Sequence, residues 1–292
     1  MRAIGKPTCV ALMLGMFVAA TARGQDESSV PKPAQPTGQK ITLKLNLPKG
    51  TVRKSASNVD MKMNIGIGDQ PIAMNMVMGM EMGFDVQDVD TDGNHTIKLT
   101  YDRMKMKMEG GPVALDFDSA KKDGDFNPLT AAFGALVGQS LTMKMSPQGK
   151  ITEVTGADEL AKKLGAAIPG AEEQIKQQLK ETENQVGQLV ANFPDTPVDN
   201  GDTWTAKMKM GGATPMTIDA TYTLLDRTGD EALVGFDGKI EGALAGTMTG
   251  TMQINLKTGW TSSADMKMKV SGKQGGATID MDATTTIKSD EN

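Results

Sequence analysis

The side chains with the most chemical scope in this 292-residue chain are methionine thioethers on alternate residues. Met74, Met76, Met78, Met80 and Met82 form one run, and Met61/Met63, Met104/Met106/Met108, Met143/Met145, Met208/Met210 and Met266/Met268 repeat it. Thioethers are soft ligands that suit Cu(I) or Ag(I), and two of them at i and i+2 on a strand point into one site. Met76, Met78 and Met106 make the best-placed trio for such an ion. Lysines between many of the pairs, and a single histidine (His95), argue against a cation site. The alternative chemistry is apolar. Methionine is a flexible, polarisable filler for irregular cores and cavities. Met74, Met76, Met78, Met80, Met82, Met104 and Met106 are then the candidates to line a ligand-holding face.

Other constellations carry less. Asp88-Val89-Asp90-Thr91-Asp92-Gly93-Asn94 matches the first half of a calcium loop, but Leu99 stands where the bidentate glutamate belongs. An Asp-Gly hairpin tip explains the run as well. One histidine, one cysteine (Cys9) and no Gly-x-Ser-x-Gly elbow leave no recognisable nucleophile–base arrangement. Asp116/Asp118 and Glu172/Glu173 read as solvated or helix-start charges. The expectation is a non-enzyme with no cofactor and no committed metal site.

The elements that must position these residues follow from the apolar period. Alternation begins at Ile41, Leu43, Leu45 and Leu47 and continues through Val59 to Ile67, the methionine run into Phe84 and Val86, Ile97 to Tyr101, and Val113 to Phe117. Gly, Asp and Pro clusters separate the runs. Ile97, Leu99 and Tyr101 occupy odd positions, whereas Met104, Met106 and Met108 occupy even ones. If both sets face one core, a β-bulge must lie near Asp102-Arg103. The period then changes. Asn127-Pro128 caps a short helix over Leu129 to Val137, Ala157 to Ala167 is helical, and Ala171 to Asn192 carries one apolar helical stripe. After Phe193-Pro194 the strand period returns through Ile287. Hairpin-length turns among about thirteen strands imply antiparallel pairing, and so large a sheet curls or closes. The fold class expected is mainly β: a large curved antiparallel sheet or open barrel with a central helical insert on its concave side.

The first residues read as a secretory signal peptide over 1–24. Arg2 and Lys6 precede the apolar stretch Val10 to Ala20, and cleavage after Ala22 or after Gly24 follows, with Gln25 the favoured start. Removal of residues 1–24 takes away Arg2, Lys6, Arg23 and no acid, leaving 28 basic against 36 acidic residues, a net charge of −8. That balance disfavours nucleic acid and anionic membranes as partners. The mature chain has no cysteine, so neither disulfides nor thiolate metal sites support the fold. Residues 25–39, rich in Pro, Gln and Ser, are expected to be a disordered linker. Residues 40–288 form a single β-rich domain. It is divisible into similar halves, 40–155 and 200–288, around helices within 157–192. Phe84 to Asp88 resembles Tyr222 to Asp226, and Met143 to Ile151 resembles Met252 to Thr261. Ordinary hairpins sharing the same few turns would give that likeness too. The expected location is secreted or periplasmic, with no transmembrane segment after cleavage.

Gly201-Asp202-Thr203-Trp204, with Phe193-Pro194 and Pro197-Val198 before it, resembles an uncharacterised family of secreted bacterial β-rich proteins of unknown function. Leu141 to Lys150 and Tyr101 to Met106 carry the same likeness. These are turn and strand signatures, so the resemblance implies the fold and transfers no site. More distantly, the layout is similar to the half-barrel of periplasmic lipoprotein carriers, which implies a curved sheet with helices on its concave face. Together these readings lead to a binding or interaction protein. Its partner would be a lipid, another apolar ligand or an envelope protein, and the Cu(I)/Ag(I) trio is the alternative.

Overall fold

The computed structural model describes residues 30–68, 70–111, 114–121, 128–167, 193–210, 216–274 and 276–290. Its strands, in chain order, are β1 (Val52–Ile67), β2 (Gln70–Val89), β3 (His95–Gly110), β4 (Leu115–Asp118), β5 (Ser140–Met145) and β6 (Ile151–Thr155). The second set is β7 (Thr203–Met210), β8 (Met216–Thr228), β9 (Glu231–Gly242), β10 (Leu244–Asn255), β11 (Thr261–Gln274) and β12 (Ala277–Ser289). Two helices, α1 (Pro128–Leu136) and α2 (Ala157–Ala167), complete the described elements. The amphipathic stripe expected over 171–192 lies outside the described residues, as does the signal peptide expected over 1–24.

All twelve strands form one antiparallel sheet in the order β6-β5-β3-β2-β1-β12-β11-β10-β9-β8-β7, with β4 beside β3. The chain's two strand-rich regions meet where β1 pairs with β12. The sheet is open, with β6 and β7 at its edges. It is nevertheless rolled. Leu45 N–H donates to Pro147 in the β5/β6 turn, and the next residue, Asn46, donates to Thr258 in the β10/β11 turn. Those turns lie six strand spacings apart, about 29 Å on a flat sheet. Adjacent residues reach both only if the sheet curls around them.

Part of that curl is written in β10. Gly246 and Gly250 alternate with Met248 on the inner face, and a Cβ on either would lie 1.9 or 2.1 Å from a β11 carbonyl oxygen. Side-chain-free positions let the two backbones approach and coil at this corner.

The bulge required by the change of parity is present. Glu81 pairs with Arg103 and Met82 with Tyr101, so Asp102 is the extra residue. It brings Tyr101, Met104 and Met106 into the same hydrophobic cluster. Arg103, beside the bulge, grips Asp118 of β4 through Nε and Nη2 at 3.1 and 2.8 Å, which holds that carboxyl down at about 2.

One expectation needs correction. Ile41 to Leu47 is not a strand of the sheet. Its alternation is real, since Leu43, Leu45 and Leu47 are buried, but only Ile41 makes a bridge, to Val198. The stretch is a strap whose backbone bonds go to scattered partners. Residues 30–39 have no regular secondary structure, yet they are not loose. Ala34 N–H donates to Leu225, and Thr37 and Gly38 donate to the Asp199 carboxylate at 2.7 to 3.2 Å.

Candidate functional site

Strand register decides which sulfurs meet. Met63 faces Met74, and Met61 faces Met76, across β1–β2; Met76 faces Met108, Met78 faces Met106, and Met80 faces Met104, across β2–β3. On the other side, Met63 meets Met281 across β1–β12, and Met248 meets Met268 across β10–β11. Side chains therefore stand in transverse rows. One row runs Met248, Met268, Ala283, Met61, Met76 and Met108 over six strands. The next begins in aromatic groups, Trp204, Tyr222 and Phe236, with Trp204 stacked on Tyr222 at 5.6 Å between centroids.

The seven candidate lining methionines do share this face. Met76, Met78, Met80, Met104 and Met106 are buried, at 5 % exposure or less, whereas Met74 and Met82 are half-buried. Met252, Met266, Met268 and Met108 are also half-buried at the same cluster. Phe133 and Leu136 of α1, and Leu160, Ala161 and Leu164 of α2, pack into that cluster, so these helices stand against the inner face. The electrostatics are plain. Among the described residues the buried ionisable groups are His95, Asp199 and Tyr222, with Tyr101 half-buried, and burial raises the pKa of both tyrosines. Among the described residues this face offers dispersion contacts.

The trio proposed for a soft ion also comes together, since Met78 faces Met106 and Met76 lies two residues away on the same face. Its surroundings are the apolar packing of the core. The calcium-like run is a hairpin tip. Asp90 accepts from the N–H groups of Asp92 and Asn94 at 3.0 and 2.9 Å and from the Asn94 side chain, and it pairs with Lys144. The Asn94 bonds are the main cause of its depressed pKa. Asp88 pairs with Lys49. Among the described residues no group of three or more His, Cys, Asp or Glu side chains could hold a metal. Asp118 serves Arg103 rather than solvent alone, and Glu172/Glu173 lie outside the described residues.

Two sites have no counterpart in the sequence reading. His95 is buried at the first position of β3, where its Nε2 accepts the Leu47 N–H at 3.1 Å. Asp199 and Arg227 form an ion pair at 2.9 Å, almost enclosed, that anchors Thr37 and Gly38. The lone histidine is the one available signal for the first. Nothing local marks the second, because its partners are 162 and 28 residues away.

A model of DUF6263, a family of unknown function, matches residues 92–290. The chain belongs to that family. The match begins in the β2/β3 turn, so in this DUF6263 protein the strap, β1 and β2 precede it. Comparison with curated proteins gives no match. Among solved structures, lipovitellin is similar at 10 % identity and a TM-score of 0.48, over 84 % of this chain but only 25 % of that one. DynF, from the dynemicin pathway of Micromonospora chersina, gives 7 % identity and 0.21 over 94 % and 96 %. A DUF1329 family protein from Desulfovibrio piger gives 9 % and 0.13 over 81 % and 84 %. At these scores the likenesses transfer no function to the DUF6263 chain.

Proposed function

We propose that this protein is a non-enzymatic binding protein of the secreted or periplasmic space that holds an acyl chain or another apolar ligand against its methionine face. One observation carries the reading: a single open sheet presents uncharged rows of thioethers across six strands, and several of them, Met74, Met82, Met108, Met252, Met266 and Met268, remain partly accessible. An open sheet can part from whatever covers it without breaking its own ladder. Flexible thioethers can then repack around a chain of variable shape.

Native mass spectrometry of the mature protein, followed by solvent extraction and lipid analysis, tests this. A co-purifying apolar molecule that is lost when Met252, Met266 and Met268 become lysine supports the reading. A ligand-free protein that takes up no fatty acid or phospholipid from vesicles removes it. N-terminal sequencing of exported protein, expected to begin at Gln25, tests the location.

A further inference from the structure

The strap from Ile41 to Lys49 crosses the end of the sheet where the β2/β3, β5/β6 and β10/β11 turns converge. Leu45 and Leu47 drop into a second hydrophobic cluster with Val86, Ile97, Met143, Met145 and Ile151. Its backbone is held at Pro147, at Thr258 and at His95. The contact at Gly259 is so close that a Cβ there would lie 2.0 Å from the Lys44 carbonyl oxygen. Of these attachments, the one at His95 depends on a proton.

His95 is 2 % exposed, and its Nε2 accepts from the Leu47 N–H, so the imidazole is neutral with its proton on Nδ1. That Nδ1 is buried and has no hydrogen-bond partner. A second proton would put a donor on Nε2 against the Leu47 donor, and would place a charge on a side chain that is almost fully buried. Burial outweighs the smaller upward pulls of the Leu47 and Gly93 backbone and of Asp90, so protonation on balance works against the closed strap. We propose that His95 is a pH-operated latch: its protonation unseats Leu45 and Leu47 and opens this end of the sheet.

The charged groups around it do not cancel that effect. From β2 and its turn come Asp88, tied to Lys49, Asp90, tied to Lys144, and Asp92 on the rim of the adjoining cleft. From the strap come Lys44 and Lys49, and from β5 comes Lys144. Burial is the largest influence and lowers the His95 pKa from the usual 6.5, against smaller upward pulls from the Leu47 and Gly93 backbone and from Asp90. The closed strap therefore binds fewer protons than the open one. Closure is complete above about pH 6.5 and is lost as the pH falls below it.

His95 is the chain's one histidine, so the test is direct. Amide exchange of the mature protein, corrected for intrinsic rate, is followed at Leu45, Asn46 and Leu47 from about pH 7.5 to about pH 5, with the imidazole titrated by NMR. Protection at these three amides should fall roughly tenfold or more as the imidazole protonates, while β10 to β12 stay protected. In His95→Gln the amide oxygen reaches the place of Nε2 without titrating, and the strap should stay closed throughout. A strap equally protected at both ends of the range overturns the proposal, whether or not the imidazole titrates. An opening that persists unchanged in His95→Gln does so too. If that variant does not fold, coincidence of the imidazole midpoint with strap opening in the natural chain decides, and separate midpoints overturn it. None of these readouts depends on the apolar ligand.

Discussion

Gln87 and Leu225 hold the same place in two hairpins: each is the extra residue of a β-bulge, one position before an aspartate, close to the hairpin turn. The correspondence spreads sideways. Val86, Ile97, Met143 and Val154 face one another across β2, β3, β5 and β6. Leu224, Val234, Met252 and Ala264 do so across β8, β9, β10 and β11. A second pair of bulges matches as well. Thr152 and Ser262 are the extra residues there, and their hydroxyls donate to Lys144 and Gln253 carbonyls at 3.2 and 3.4 Å. One four-strand pattern thus occurs twice in the sheet. The strap threads between the two copies, bonded to a turn of each.

A bulge fixes which face a strand buries, so removing one should be costly. Deletion of Asp102 makes the register continuous and turns either Ile97, Leu99 and Tyr101 or Met104, Met106 and Met108 away from the core. Ile97, Met104 and Met106 are among the most deeply buried side chains. At roughly 1.5–3 kcal/mol for each large side chain exposed, the loss should exceed about 3 kcal/mol. Urea denaturation should show a sharply lower midpoint, or no folded protein. A midpoint close to that of the natural chain would mean the bulge can migrate.

That bulge is legible in the amino-acid sequence, because parity is a strict rule on a strand and Tyr101 and Met104 break it. Strand positions are legible for the same reason. Pairing between distant parts is not. Nothing local in Met63 says that Met281 lies opposite it, since antiparallel partners carry no address beyond a matching apolar face. The strap misleads in a related way. Leu43, Leu45 and Leu47 alternate like a strand, but alternation reports one buried side and is silent about where the N–H groups donate. The inner face itself can be read from the spacing of Met76 and Met106. The latch at His95 cannot, because a residue beside an Asp-Gly turn gives no hint of burial.

Substitution distinguishes adaptable packing by the inner-face methionines from metal ligation. Leucine at Met76, Met78 or Met106 keeps volume and loses sulfur, so each change should cost less than about 1.5 kcal/mol. Alanine at the same sites should cost about 2–5 kcal/mol, since a cavity remains. Chemical denaturation measures both. A Cu(I) affinity in chelator competition that disappears in the leucine series would instead establish these sulfurs as ligands.

The corner at β10 predicts a sharp positional contrast. Alanine at Gly246 would drive its Cβ to 1.9 Å from the Lys269 carbonyl oxygen, whereas at Gly66 the nearest atom is the Thr278 Cβ at 3.7 Å. Gly246→Ala should therefore lose about 1–3 kcal/mol through a forced backbone shift. Gly66→Ala should be neutral or slightly stabilising, because alanine restricts the unfolded chain. Calorimetric Tm values compare the two. Equal effects would mean the β10–β11 corner relaxes freely.

Asp199 sets the acid limit of the anchor that holds the segment 30–39, just ahead of the strap. Its enclosure works to raise the carboxyl pKa, but hydrogen bonds from Thr37, the Asn200 N–H and the Gly38 N–H outweigh that and hold it at about 2, below the usual 3.8. Arg227 adds its own donor at 2.9 Å. The folded state therefore binds fewer protons than the unfolded state between those values. The anchor's stabilisation is fully present above about pH 4 and disappears as the pH falls towards 2. Asp199→Asn removes the charge but keeps the size, and it leaves Arg227 without its ionic partner. The variant should be less stable than the natural protein at pH 7 and should show a shallower loss of stability between pH 4 and 2, measured by urea denaturation across that range. Amide exchange should accelerate first at Thr37 and Gly38, whose N–H groups end on this carboxylate. An acid limb with the same slope in both proteins would show that the anchoring of Thr37 and Gly38 does not depend on the Asp199 charge.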